Sequence, residues 1–173
     1  MMFFILICCN SPQSQAIRYV KEWQGKKIQI PQNIIWKFNG KDTSCYNLLN
    51  SSFKILVYVD SVGCTPCKLK VDRWKSLIDS CQQSFLDVSF LFVLHAHDFE
   101  EIEMEFLLHD FNYPVIYDPQ NYFDRLNHFP QNQLFQVFLL DGENEVLLIG
   151  SPITSTQIWE LYKKRILFHN VEL

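Results

Sequence analysis

Phe53-Lys54-Ile55-Leu56-Val57-Tyr58-Val59 is an apolar run broken only by Lys54, and Cys64-Thr65-Pro66-Cys67 stands four residues beyond it. A continuous run of this length reads as a central strand buried on both faces. Beyond the cysteines, Lys68 to Gln82 sets Leu69, Trp74, Leu77, Ile78 and Cys81 at helical spacing with charges between them, so the motif opens a helix. A CxxC at a strand-to-helix junction has a specific physical use. The first thiol meets unpaired N–H groups that favour its thiolate, which makes Cys64 the expected nucleophile. Cys67, one turn on and expected to be more shielded, attacks the resulting mixed disulfide and resolves it. Pro66 suits the first helical turn, where its missing N–H has no intrahelical partner to lose.

Working outward, Lys27-Ile28-Gln29-Ile30 and Ile34-Ile35-Trp36-Lys37-Phe38 alternate as short strands, the second running into the turn pair Asn39-Gly40,. Val88 to Leu94 is a second buried strand, and Glu100 to His109 carries Ile102 and Phe106 on one helical stripe. Tyr113 to Tyr117 is extended, Tyr122 to Leu126 is a short helix, and Leu134 to Leu140 is a third core strand. Asp141-Gly142-Glu143-Asn144 turns that strand into Glu145 to Gly150, and Thr154 to Phe168 closes as an amphipathic helix,. Strands and helices alternate and a hairpin follows, which defines an α/β fold with a mixed central sheet flanked by helices and an N-terminal β-hairpin extension.

The 173 residues fit one domain, and a composition 48% hydrophobic and 20% charged supplies a packed core without a signature of disorder,. With net charge −4 and no basic run longer than Lys163-Lys164-Arg165, nothing provides an electrostatic footprint for nucleic acid. A zinc site needs about four ligands. Cys45, Cys81, His95 and His97 form no second paired cluster, so no metal is expected. Cys45 and Cys81 read as buried thiols or a second bridge, and the histidines as hydrogen-bonded loop residues. Glu100, Glu101, Glu103 and Glu105 read as the solvated face of a helix.

Met1 to Cys9 is almost wholly apolar but ends at Asn10-Ser11-Pro12, too short for the roughly 20 residues of a membrane span. Leu6-Ile7-Cys8-Cys9 resembles the end of a bacterial lipoprotein signal, in which Cys9 would be the lipid-attachment residue. The division expected is therefore 1–9 as a signal segment, 10–24 as a tether or short helix, and 25–173 as the folded domain. An exported protein meets an oxidising compartment, where a disulfide-forming pair has chemical use.

The order of Ile55-Leu56-Val57, Cys64-Thr65-Pro66-Cys67, Tyr117-Asp118-Pro119, and Val137-Phe138-Leu139-Leu140-Asp141-Gly142 reaching Gly150 resembles the thioredoxin superfamily. Within it, the likeness is to the TlpA-like envelope thiol-disulfide oxidoreductases, over residues 25–170. The resemblance implies a thioredoxin-like fold and a redox disulfide between Cys64 and Cys67. It also implies exchange with protein thiols and disulfides, an electron donor and no bound cofactor, on the periplasm-facing side of a bacterial cell envelope with a lipid anchor. Three positions depart from the family. Gly63 replaces a Trp before the first cysteine, Tyr58 replaces a buried acid, and Phe135 stands where a cis-proline faces the motif. A peroxiredoxin is a weaker match, since Cys64 lacks that site's preceding Pro and Thr or Ser spacing. The competing reading is a binding or scaffolding module on the same fold with a static, non-catalytic disulfide.

Overall fold

The computed structural model describes residues 12–168. Helices alternate with the strands that the apolar runs dictate. In chain order the elements are α1 (Pro12–Trp23), β1 (Ile35–Phe38), β2 (Lys41–Thr43), β3 (Phe53–Val59), α2 (Thr65–Leu69), α3 (Val71–Gln83), β4 (Val88–Leu94) and α4 (Phe99–Leu108). Then come β5 (Val115–Tyr117), α5 (Tyr122–Asn127), β6 (Val137–Asp141), β7 (Val146–Ile149) and α6 (Thr156–Phe168). Single 3₁₀ turns occupy Tyr46–Asn50 and Gln133–Phe135.

The strands form one seven-stranded mixed sheet in the order β2-β1-β5-β4-β3-β6-β7. β3, β4 and β5 run parallel, while β1, β2, β6 and β7 join antiparallel. β3 lies between β4 and β6 and is buried along its whole length, as its uninterrupted apolar character requires. Its alternate residues serve two cores. Ile55, Val57 and Val59 face α3, α4 and α6, where Trp74 meets Phe90 and Phe92 edge-on. Leu56 and Tyr58 face the side built from Trp23, Trp36, Phe123, Phe129 and Phe138. Aromatic side chains supply much of both, each burying an area that contributes about 2–3 kcal/mol.

Lys54 lies inside this strand and is fully buried. Its ammonium donates to the carbonyls of Gly142 at 2.9 Å and Leu49 at 3.2 Å. Burial lowers its pKa, opposed by the charges of Asp141 and Glu143.

Three expectations are corrected. Lys27–Ile30 forms no strand. Lys27 makes one bridge to Glu145, and β1 instead turns through Asn39-Gly40 to pair with β2. The helix after the motif is broken at Lys70, which takes φ +46°. The strand expected from Leu134 begins only at Val137, because the Asn132 side chain accepts the Leu134 N–H at 3.1 Å and caps a turn there. No helix of the described residues is long and apolar enough to cross a membrane.

Candidate functional site

The tight parallel and antiparallel pairing of β3 brings its C-terminal end, the start of α2 and the turn before β6 together at one end of the strands. Tyr58 N–H donates to Gln136 O at 2.9 Å, which fastens that turn alongside β3. Cys64 is the N-cap of α2 and is extended, with φ −77°. Cys64 and Cys67 are joined by a disulfide with Cα atoms 5.4 Å apart. The Cys67 N–H donates to Cys64 Sγ at 3.3 Å, the local amide that the sequence placed beside the nucleophile.

Both cysteines are exposed, so the expected shielding of Cys67 is not seen. The reason is local: α2 ends at Leu69, and the break at Lys70 keeps the motif on a five-residue turn outside the packed α3. The disulfide opens on a cleft of about 360 Å³ bordered by Val62, Lys68, Trp74, Leu134, Gln136 and Ile153. Val62 and Leu134 are large apolar side chains standing 71% and 60% exposed on its rim.

Each of the three departures has a structural account. Gly63 takes φ +78°, and a Cβ added there would meet nothing within 4 Å. The backbone angle, not crowding, is what would strain a Trp at this position,. Tyr58 is buried and donates from its hydroxyl to Asn121 Oδ1 at 2.8 Å. Burial, then the charges of Asp124, Asp60 and Asp118, push its phenol far above the ordinary value, against the Asn121 bond, so it cannot serve as the missing acid near neutral pH. Phe135 does not border the cleft; its ring packs on Tyr19 of α1 at 4.5 Å. Pro130 also stays outside, its carbonyl accepting from Gln136 Nε2 at 2.9 Å, and no cis peptide bond occurs among the described residues.

The sequence reading missed an ionic cluster beside the motif. Lys68 pairs with the Asp60 carboxylate, whose other oxygen accepts from Gln136 Nε2 at 2.8 Å. Burial opposes ionisation of Asp60. The hydrogen bonds from Gln136, Lys68 and the Val62 N–H, with the Lys68 charge, prevail and hold its pKa below the ordinary carboxylate value. Lys68, four residues after Cys64, was a readable neighbour at helical spacing. Gln136 was not, since only the β3–β6 pairing brings it there.

His95 and His97 lie outside the cleft. His95 Nδ1 bonds the Asp118 carbonyl at 2.9 Å, which as an acceptor assigns the proton to Nδ1,. Cys81 is buried, and burial pushes its thiol pKa up to about 11. Cys45 is partly exposed, and the two carry no bridge. Among the described residues no group of three or more His, Cys, Asp or Glu is placed to hold a metal ion. Cys9 and the segment 1–9 lie outside the described residues.

No protein-family model matches the chain, and no curated protein matches it in sequence. Solved structures do share its fold. A chain assigned as the thiol:disulfide interchange protein DsbE of Chlorobium tepidum superposes with a TM-score of 0.60 at 16% identity, covering 83% of this chain and 97% of that one. A chain from Bacteroides thetaiotaomicron assigned as a protein disulfide isomerase gives 0.57 at 15% identity, covering 83% and 89%. The peroxidoxin BcpB of Mycobacterium tuberculosis gives 0.56 at 14%, covering 84% and 94%. At these identities the likeness is one of architecture: the fold is thioredoxin-like, and it carries a CxxC disulfide at the N-cap of its motif helix.

Proposed function

We propose that this protein exchanges disulfides with protein cysteines, as a reductase or isomerase. Cys64 thiolate attacks a substrate disulfide, forming a Cys64–substrate bond and releasing one substrate thiolate. Cys67 then gives up its proton and attacks Cys64 Sγ. The Cys64–Cys67 bond closes, the second substrate sulfur leaves as thiolate and takes up a proton, and two electrons have passed to the substrate. A donor dithiol protein restores the pair by the reverse exchange, and no bound cofactor is needed.

The observation that carries this reading is an exposed Cys64–Cys67 disulfide at a helix N-cap, opening on a cleft with apolar rims. The structural neighbours assigned to thiol:disulfide interchange and disulfide isomerisation support it. The test is a Cys67→Ser variant, expected to accumulate a mixed disulfide through Cys64 that thiol reductant releases. No trapped species, together with a couple below about −300 mV, the range of structural disulfides, would establish the static-disulfide module instead.

The same reading places the protein on the periplasm-facing side of a bacterial envelope, held by a lipid on Cys9; its support is the apolar Met1 to Cys9 segment,. Palmitate labelling in cells is expected and is lost in Cys9→Ala. Equal labelling of both proteins would sink the anchor.

A further inference from the structure

The disulfide cleft borders a charge pair that thiol exchange does not by itself require. Lys68 follows Cys67 on α2 and lines the cleft. Its ammonium donates to the Asp60 carboxylate and, at 3.3 Å, to the Asp60 carbonyl. The Val62 N–H donates to the same carboxylate at 3.0 Å. Gln136 Nε2 donates both to Asp60 at 2.8 Å and to the Pro130 carbonyl at 2.9 Å. The Lys68 and Asp60 side chains are only 10% and 16% exposed. A pair so far removed from water is costly unless each partner is well engaged, and here each is. One carboxylate thereby joins three segments around the cysteines: the exit of β3, the motif helix α2 and the turn before β6.

We infer that Asp60 is a positioning residue for disulfide exchange: it holds Lys68 as a neutralised cation beside the Cys64–Cys67 couple and fastens Gln136 as the opposite wall of the cleft. This rests on the exchange reading above. An isolated ammonium at the cleft would favour the Cys64 thiolate, an isolated carboxylate would oppose it, and the pair sets the field between those limits. The titratable groups bordering the cleft besides the cysteines are Lys68, Lys70 and Tyr58. The Tyr58 hydroxyl is engaged by Asn121; Asp60 lines the adjoining cavity with His95 and Asp124, and within the cleft itself the charges are those of Lys68 and Lys70. Removing the two members of the pair must therefore act in opposite directions.

The experiment follows the alkylation rate of Cys64 against pH in the fully reduced full-length chain. Asp60→Asn is expected to lower the midpoint by about 0.5–1 pH unit and Lys68→Met to raise it by about as much. Asp60→Asn/Lys68→Met is expected within about 0.3 unit of the starting protein. Where Asp60→Asn does not fold, Lys68→Met carries the test against Lys68→Arg, which keeps the charge and the midpoint. Midpoints that stay fixed while melting temperatures fall, or that move the same way in both single variants, overturn the inference and leave Asp60 with a structural role. The readout needs a reduced thiol but no turnover. No trapped partner together with a couple in the potential range of structural disulfides sinks the exchange reading, whereas fixed midpoints with trapping intact sink only the assignment of Asp60.

Discussion

Gly63 shows how one backbone angle decides what can stand beside the nucleophile. At φ +78° an L side chain is strained whatever space it has, and the space at Gly63 is open,. Gly63→Ala is expected to cost about 1–2 kcal/mol of stability, from the angle alone. Gly63→Asn should recover part of that, since Asn tolerates the left-handed region better. Denaturant unfolding of the three proteins measures both, and an Ala variant as stable as the glycine protein would mean that this turn adopts another conformation. Asp60 makes the complementary point. The sequence shows an acid near the motif but not its partners. Its pKa is held down by groups from α2 and from the turn before β6 that lie up to 76 residues away.

At the level of elements, the apolar runs were reliable where packing is symmetrical. β3 and β4 stand where Phe53 to Val59 and Val88 to Leu94 place them, because a strand covered on both faces has no polar side to blur its ends. Boundaries failed where a polar side chain competed with the ladder. Leu134-Phe135 has strand composition, yet Asn132 captures the Leu134 N–H and Phe135 turns to Tyr19,. Lys70 breaks an otherwise regular helix, and the periodicity of Leu69, Trp74 and Leu77 runs across the break without marking it. That break matters chemically, because it leaves Cys67 exposed. Ile28 is buried as the alternation of Lys27–Ile30 suggests, but its N–H bonds to Asn144 O outside any strand.

For the molecule as a whole, the disulfide spans three positions beyond the end of the interior strand β3, in a sheet whose two faces each carry a contiguous core. A loop so short constrains the unfolded chain by only about 2 kcal/mol. Reduction is therefore expected to leave the fold intact and to shift its stability by no more than about that amount, measured by parallel melting of oxidised and reduced protein. Unfolding on reduction would assign the Cys64–Cys67 bond to structure rather than exchange. The sequence by itself determined the α/β architecture, the central strand and the junction that carries the cysteine pair, because apolar period and motif spacing are local quantities. Only the tertiary structure decided the surroundings of that pair. The antiparallel seat of β6 beside β3 brings Gln136 to Asp60, the break at Lys70 sets the exposure of Cys67, and Tyr19 draws Phe135 away from the cleft. Each of these joins residues distant in the chain or turns on an angle that residue type leaves open, so none is written in a local pattern.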